Sequence, residues 1–311
     1  LERRLVYAIV LMILVAVVPS ILFPRKRPLP GTPGSPDTSV ALRDSQPAAP
    51  TPQDRPAMGA NDRPTVRPTD RGANAATDTV WVTSDLYRLG FSTRGGELVA
   101  AELRQYRSFN ATDAGSNVQL VPAGRAFLTN RLVAGADTAS LSEWSFTPSA
   151  TAVTVSSGGT QLTFTAARGD AQITLRYGFR PDDYRIDVRG EVEGLASTGA
   201  VLALGLSDGL RSVEADTVDD YRHYSIVTKA AKTEGRAFSS LDPGEVQRLN
   251  GPFEWVALKS KYFLLAALAI EPNAPQFGGA IVTGGPRSGK NATRAGVAVT
   301  MPVPGAGSWQ Y

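Results

Sequence analysis

The pattern of hydrophobic and polar positions changes character twice along this chain. From Leu5 to Val18 every residue is apolar apart from the amphipathic Tyr7, and after Pro19 and Ser20 the run closes with Ile21, Leu22 and Phe23. At a rise of about 1.5 Å per residue, a helix of this length covers roughly the hydrocarbon core of a bilayer. A helix that is apolar on all faces belongs either in a deep protein core or in a membrane. A polar segment follows directly, so the pattern predicts a transmembrane helix within residues 1–23. A cleaved signal peptide would end in small residues. The bulky Ile21-Leu22-Phe23-Pro24, followed by Arg25, Lys26 and Arg27, favours an uncleaved signal-anchor instead. Arg3 and Arg4 favour a cytoplasmic N-terminus and the later basic triplet argues against it. Because a long following domain translocates largely regardless of charge, the bulk of the chain is expected outside the cytoplasm.

Residues 24–78 have no hydrophobic pattern. Eleven of the 22 prolines lie here, and no Trp, Tyr or Phe occurs between Phe23 and Trp81. Such a segment cannot bury enough apolar area to offset the entropy of ordering it. It is expected to be a disordered tether, with an r.m.s. span of roughly 40 Å.

From residue 79 to Tyr311 the period falls to two. Thr79–Thr83 and Tyr87–Ser92 are rich in β-branched and aromatic residues, Thr93-Arg94-Gly95-Gly96 reads as a turn, and Glu97–Leu103 continues as a strand. Val118–Val121 is a short strand; Trp144 and Phe146 alternate with Ser145, and Val153 and Val155 with Thr154. Gly158-Gly159 is expected to turn a hairpin from that strand into Gln161–Thr165. Ile173, Leu175, Tyr177 and Phe179 share one face of the next strand; Tyr184, Ile186 and Val188 share one face of another, and Val201–Leu206 follows. Many short strands at roughly 8–12-residue spacing predict a large sandwich or barrel in place of βαβ units. Gly244–Asn250 reads as a loop or an edge segment. Trp255, Leu258 and Tyr262 fall at i, i+3 and i+7, which predicts about two helical turns with one buried face. Phe263–Ile270 then reads as a fully buried strand, too short to cross a membrane as a helix.

Composition adds exclusions. The net charge is only +3, with no basic stripe of the kind a nucleic-acid interface leaves, so no nucleic-acid partner is expected. Cysteine is absent, which removes disulfide and thiolate chemistry without fixing the compartment.

Candidate chemistry is thin. Gly284-Gly285-Pro286-Arg287-Ser288-Gly289-Lys290 matches the first part of a phosphate-binding G-x-x-x-x-G-K loop. Asn291 stands where that loop needs Ser or Thr, and Gly296–Thr300 reads as a strand where it needs a helix; a hairpin turn is the expectation. The single histidine, His223, lies near Glu214 and Asp216, but acid–base chemistry needs a partner at hydrogen-bond range, and a surface or satisfied histidine is expected. Asn110-Ala111-Thr112 and Asn291-Ala292-Thr293 fit the glycosylation sequon, a pattern common by chance. No catalytic, cofactor-binding or metal residue is assigned, and no enzyme activity or cofactor is expected.

Three stretches carry a resemblance. Glu2-Arg3-Arg4-Leu5 leads into an apolar helix ending near Pro24. Tyr87-Arg88-Leu89-Gly90-Phe91-Ser92-Thr93-Arg94-Gly95-Gly96-Glu97-Leu98 is followed by Leu103 and Tyr106. Trp255-Val256-Ala257-Leu258-Lys259-Ser260-Lys261-Tyr262-Phe263 comes near the end. In this order the chain resembles the N-terminal half of the YidC-type bacterial membrane protein insertases: their first transmembrane segment, the opening of their periplasmic domain and a motif near that domain's end. The middle, from Gly124 to Leu249, matches mainly in strand character.

The resemblance implies a transmembrane signal-anchor (1–23), a Pro-rich linker (24–78) and a periplasmic β-super-sandwich of the galactose mutarotase-like kind (79–311), mainly β with one or two short helices. It implies an inner-membrane location, with the lipid bilayer, client membrane proteins and the Sec accessory proteins SecD and SecF as partners. In that family a hydrophilic groove formed by five later helices, with a key arginine, lowers the cost of moving polar client segments into lipid. No second hydrophobic span occurs before Tyr311, so that core is expected to be absent from this chain, and the domain is expected to act as an accessory, partner-binding module. The rival from another class is a membrane-tethered carbohydrate-binding or mutarotase-like sandwich. A single histidine weakens its catalytic form and leaves pure sugar binding.

Overall fold

The computed structural model describes residues 78–194, 199–269, 276–288, 291–305 and 307–311. The expected anchor (1–23) and residues 24–77 of the expected linker lie outside the described residues.

Period-two alternation produces strands throughout. β1 (Thr79–Thr83), β2 (Tyr87–Ser92), β3 (Leu98–Arg107) and β4 (Asn117–Gln119) form an antiparallel meander. β5 (Thr129–Ala134) and β6 (Asp137–Ser140) form a hairpin. β7 (Thr147–Pro148), β8 (Ala152–Thr154), β9 (Thr160–Arg168), β10 (Ala171–Phe179), β11 (Ile186–Glu193) and β12 (Val201–Ser207) follow. After a short helix, Thr217–Arg222, come β13 (Ser225–Lys229), β14 (Thr233–Ala237), β15 (Val246–Phe253), β16 (Trp255–Lys259) and β17 (Leu264–Leu268). β18 (Phe277–Gly284), β19 (Arg287–Ser288), β20 (Asn291–Ala292), β21 (Ala295–Pro302) and β22 (Ser308–Gln310) complete the described chain.

Four sheets result, in the orders β4-β3-β2-β1-β8, β22-β11-β10-β9-β7, β15-β18-β21-β12-β5-β6 and β14-β13-β16-β17, with β19-β20 as a separate hairpin. The architecture is mainly β, and the buried apolar residues of the sheets merge into a single core. Among the described residues no helix is long and apolar enough to cross a membrane.

The joint between the first two sheets shows how sequence becomes packing. In β10 the alternating Ile173, Leu175, Tyr177 and Phe179 are all buried, as their spacing predicts. β9 supplies Leu162 and Phe164 opposite Tyr177 and Leu175. Phe91 of β2 enters this layer from the other sheet, with its ring centroid 4.7 Å from Tyr177, 5.8 Å from Phe179 and 6.3 Å from Phe164. Tilted and edge-on aromatic pairs of this kind add about 0.5–1.5 kcal/mol each beyond the area they bury. The Tyr177 hydroxyl needs a partner in this apolar setting and donates to the Gly96 carbonyl at 2.7 Å. Gly96 sits at φ +64°, and a Cβ there would lie 2.9 Å from Leu175 Cδ1. The Thr-Arg-Gly-Gly turn is therefore glycine-dependent for both conformation and space. It is closed by Ser92 N–H donating to the Glu97 carbonyl at 2.8 Å. Trp144 and Phe146, both buried, flank it through Gly95 N–H to the Trp144 carbonyl (2.9 Å) and Phe146 N–H to the Thr93 carbonyl (2.7 Å).

Several expectations are corrected. Residues 255–262 are not a helix. Trp255–Lys259 is strand β16, paired on both sides by β13 and β17. Tertiary pairing overrides the helical spacing, and Val256, Ala257 and Leu258, which point alternately to opposite faces, are all buried because both faces of the strand are covered. Tyr262, expected on a buried face, is 65% exposed. The following strand forms at Leu264–Leu268, but it is a sheet edge and not fully buried; Leu264 is 62% exposed. Ile270 lies outside the described residues. Gly158-Gly159 does turn, with Gly159 N–H donating to the Ser156 carbonyl at 3.0 Å. It makes no hairpin, because β8 pairs in parallel with β1 while β9 joins β10 and β7 in another sheet. Gly244–Asn250 lies at an edge, within and just before β15. The one α-helix among the described residues is Thr217–Arg222, capped by the Asp216 carboxylate accepting from Asp219 N–H at 2.9 Å.

Two predictions follow from this joint. Tyr177→Phe leaves the buried Gly96 carbonyl unpartnered and should lower the unfolding free energy by about 1–2 kcal/mol in chemical denaturation; an unchanged value would contradict the assigned hydrogen bond. Burial holds the Glu97 carboxyl above its ordinary value of 4.5, against the Ser142 hydroxyl and Arg94. The folded state then binds this proton more tightly than the unfolded chain does. The contribution is complete below pH 4.5 and is lost as pH rises through the raised folded value. The Tm advantage of Glu97→Gln over wild type should grow as pH rises above 4.5 and level off above the raised folded value, and a pH-independent difference would contradict it.

Candidate functional site: an aromatic groove beside an open sheet edge

Three segments far apart in sequence meet at one end of the first sheet. β2 and β3 bring Tyr87, Leu103 and Tyr106; the turn before β11 brings Tyr184; the Ser260–Phe263 turn and β17 bring Tyr262 and Leu264. Together they line a groove of about 320 Å³. Four of the chain's exposed large apolar side chains line it: Tyr262, Leu264, Tyr106 (46%) and Tyr184 (44%). A second cleft of about 260 Å³ shares Leu98, Tyr184, Ile186, Leu264 and Leu265 with the groove and continues it towards Val188 and Tyr311. Exposed apolar side chains gathered in one place mark an interaction surface more often than scattered ones do.

The rings are held from below. Phe263 meets Tyr106 edge-on, with centroids 5.5 Å apart. Tyr184 lies 6.3 Å from Tyr87, whose hydroxyl donates to the Arg180 carbonyl at 3.1 Å. Burial, and then the neighbouring Tyr106 phenol, push the Tyr184 phenol above its ordinary pKa, so it remains a neutral hydroxyl at physiological pH.

The turn that presents Tyr262 is tied down by charge. Ser260 N–H donates to the Phe263 carbonyl at 2.8 Å, and Phe263 N–H donates back to Ser260 Oγ at 3.1 Å. Lys261 N–H donates to Asp220 Oδ1 at 3.2 Å, and Lys261 Nζ pairs with Asp219 Oδ2 at 2.8 Å. Asp220 is buried and also accepts from Ser212 Oγ (2.6 Å) and Tyr224 Oη (3.3 Å). A buried carboxylate with three donors is a rigid post. It fixes the short helix to the Tyr262 turn, and this is the role that the acidic stretch around His223 plays.

The candidates taken from the sequence are otherwise spread out. His223 is exposed, and its Nδ1 lies 2.9 Å from the Asp219 carbonyl; Asp216 is engaged as a helix cap. They do not form an acid–base pair. Arg287 and Asn291 belong to the β19–β20 hairpin, with the Arg287 side chain on Asp242 at 3.0 Å, and strand β21 follows. The flanking residues 287–288 and 291–292 pair as an antiparallel hairpin, while Gly289 and Lys290 lie outside the described residues. Asn110 caps its own turn, accepting from Thr112 N–H at 3.1 Å. Among the described residues no cluster of three His, Cys, Asp or Glu side chains is placed to hold a metal. A wider, shallower cleft of about 800 Å³ on the third sheet carries Glu97, Arg125, Arg131 and Asp208, with Asp208 paired to Arg125 (3.4 Å) and Arg294 (3.9 Å). Tyr184, expected with Ile186 and Val188 on one face of a strand, lies just before that strand and is exposed, and no motif marked it as a site residue. Tyr106 was visible only as part of a stretch that carries the resemblance, and Tyr262 was expected in the core from its helical spacing, whereas both are exposed in the groove.

Comparison with known proteins bears on the same stretches. Residues 79–301 match the YidC periplasmic domain family. A membrane protein insertase YidC from Geobacter sp. (strain M21) is 31% identical over 207 residues, covering 63% of this chain and 37% of the relative. Another from Citrifermentans bemidjiense is 29% identical over 281 residues, covering 86% of this chain and 50% of the relative. The chain thus spans at most about half the length of these relatives. Among solved structures, a galactose mutarotase-like protein from Lactobacillus casei ATCC 334 aligns with 75% of this chain and 97% of its own, at 12% identity and a TM-score of 0.45. The family match covers well over half of the sequence and contains all three segments that build the groove; the chain belongs to the YidC family, with residues 79–301 matching its periplasmic domain.

Proposed function

We propose that this chain is the anchor and periplasmic part of a membrane protein insertase. In this reading residues 1–23 hold it in the inner membrane, residues 24–78 tether it, and residues 79–311 are a β-super-sandwich on the periplasmic side. The domain is an accessory, non-enzymatic module that docks polypeptide partners: client membrane proteins and the Sec accessory proteins SecD and SecF. Assistance in inserting and folding inner-membrane proteins is the activity it serves.

The observation that carries the reading is the convergence of two stretches. Tyr87–Tyr106 and Trp255–Phe263 are separated by most of the domain, yet they line the same groove and touch through Tyr106 and Phe263. A fold that needed these side chains only for its core would bury them, but Tyr106 and Tyr262 keep much of their surface in solvent. Tyrosine contributes large contact area at low entropic cost and is enriched in binding surfaces for that reason.

The test is site-specific photo-crosslinking in the full chain expressed in a Gram-negative host. A photoreactive residue at Tyr262 should capture periplasmic segments of SecD, SecF or nascent membrane proteins, whereas the same residue at exposed Val246 on β15 should not. Equal capture at both positions, no capture at Tyr262, or saturable sugar binding abolished by Tyr262→Ser would contradict the proposal.

A further inference from the structure

Sheet edges are a hazard, because their unpaired N–H and C=O groups invite other chains. Natural proteins blunt them with short strands, charges, proline or bulges. Among the described residues, seven of the eight edges of the four larger sheets follow that rule. β4, β8 and β22 have three residues each and β7 has two. β6 has four and carries Asp137. β14 carries Glu234 and Arg236. β15 carries Arg248 and Pro252 and has a shifted register. The eighth edge, β17, is different. Its sequence is Leu-Leu-Ala-Ala-Leu, with no charge, no proline and an unbroken register against β16.

The phase of the ladder shows what this edge offers. Ser260 N–H bonds to the Phe263 carbonyl, and Ala269 N–H bonds to the Glu254 carbonyl, so residues 263, 265, 267 and 269 direct their backbone groups at β16. Alternate residues of an antiparallel ladder point the other way. Leu264, Ala266 and Leu268 therefore aim theirs outward, and among the described residues no strand pairs with that side. Outward lies the 260 Å³ cleft, with Ile186–Val188 and Tyr311 as its opposite wall, and it opens directly into the aromatic groove. Val188 and Tyr311 exchange backbone hydrogen bonds at 2.9 and 3.0 Å, which closes the far end of that wall.

We propose that β17 is a strand-addition site. An extended polypeptide segment with apolar side chains at alternate positions pairs with Leu264, Ala266 and Leu268. The side chains on its inner face enter the cleft and the groove, where Tyr106, Tyr184 and Tyr262 cover them. Recognition through backbone hydrogen bonds is tolerant of sequence, which suits a module that meets many different unfolded apolar segments. The unguarded edge is the observation that selects this occupant: outward N–H and C=O groups at strand spacing match the repeating donors and acceptors of an extended chain, whereas a helix has its backbone groups paired internally and a sugar has no such repeat. The inference deepens the proposed partner-docking function and rests on it.

The test uses the full chain in detergent micelles and a fluorescent probe peptide, Lys-Thr-Val-Thr-Val-Thr-Val-Thr-Lys. Two further versions of the peptide are N-methylated, one at every valine and one at every central threonine. Methylation removes N–H donors and leaves the side chains. The unmodified peptide should bind saturably, and at least one methylated version should bind tenfold more weakly or worse. Ala266→Pro, which deletes an outward N–H at a position where an edge strand tolerates proline, should cause a loss of similar size. If Ala266→Pro does not fold, the methylated peptides still decide the matter. No saturable binding, or binding indifferent to both methylation patterns, would overturn strand addition. Crosslinking from Tyr262 would persist in that case if partner docking holds by another geometry, so the two failures are distinguishable.

Discussion

The structure depends on one buried interlock. Phe91 of the first sheet is set among Phe164, Tyr177 and Phe179 of the second, and the buried Tyr177 hydroxyl donates to the Gly96 carbonyl. That single bond joins two constraints. It satisfies a buried acceptor that the tight turn between β2 and β3 creates, and it fixes the turn against β10. With the turn fixed, the register of β2 against β3 is fixed. The opposite ends of those strands then hold Tyr87 and Tyr106 where the groove needs them.

The groove is the place where the same logic stops burying. Phe263 packs against Tyr106 from inside, while Tyr262, next to it in sequence, points outward. What keeps so exposed an aromatic in place is the polar post on the other side of the turn, Asp220, with its three donors, and the Lys261–Asp219 pair. The ion pair lies near the surface and contributes at most modestly to stability. The buried carboxylate has the larger consequence, since losing the Lys261 N–H would leave its Oδ1 without a donor in a dry site, while Ser212 and Tyr224 share its Oδ2. Asp219 and Asp220, beside the single histidine, thus act through position.

How much of this was legible in the sequence follows from which forces are local. β10 and β12 were legible because strict alternation of large apolar residues has one reading when one face is buried. The Trp255–Tyr262 stretch was misread because a strand covered on both faces buries consecutive residues, which erases the period-two signal and leaves an accidental helical spacing. Gly158-Gly159 turns as glycines do, but whether the flanking strands pair depends on sheets assembled from distant segments. The groove was legible only in part. Aromatic residues at regular spacing look the same in sequence whether they face the core or solvent. The resemblance to the YidC family picked out Tyr106 and Tyr262, and only folding brought Tyr184 beside them. The open edge of β17 could not be read at all, because it is defined by what does not pair with it.

Backbone amide exchange at β17, measured residue by residue in the folded chain, tests the central claim most directly, since it reports the openness of the edge beside the groove without any partner. The account predicts alternation: Leu265 and Ala267, bonded to β16, exchange slowly, while Leu264, Ala266 and Leu268 exchange orders of magnitude faster. Uniformly slow exchange across Leu264–Leu268 would mean that the edge is already covered, and the groove would then have to be understood without it.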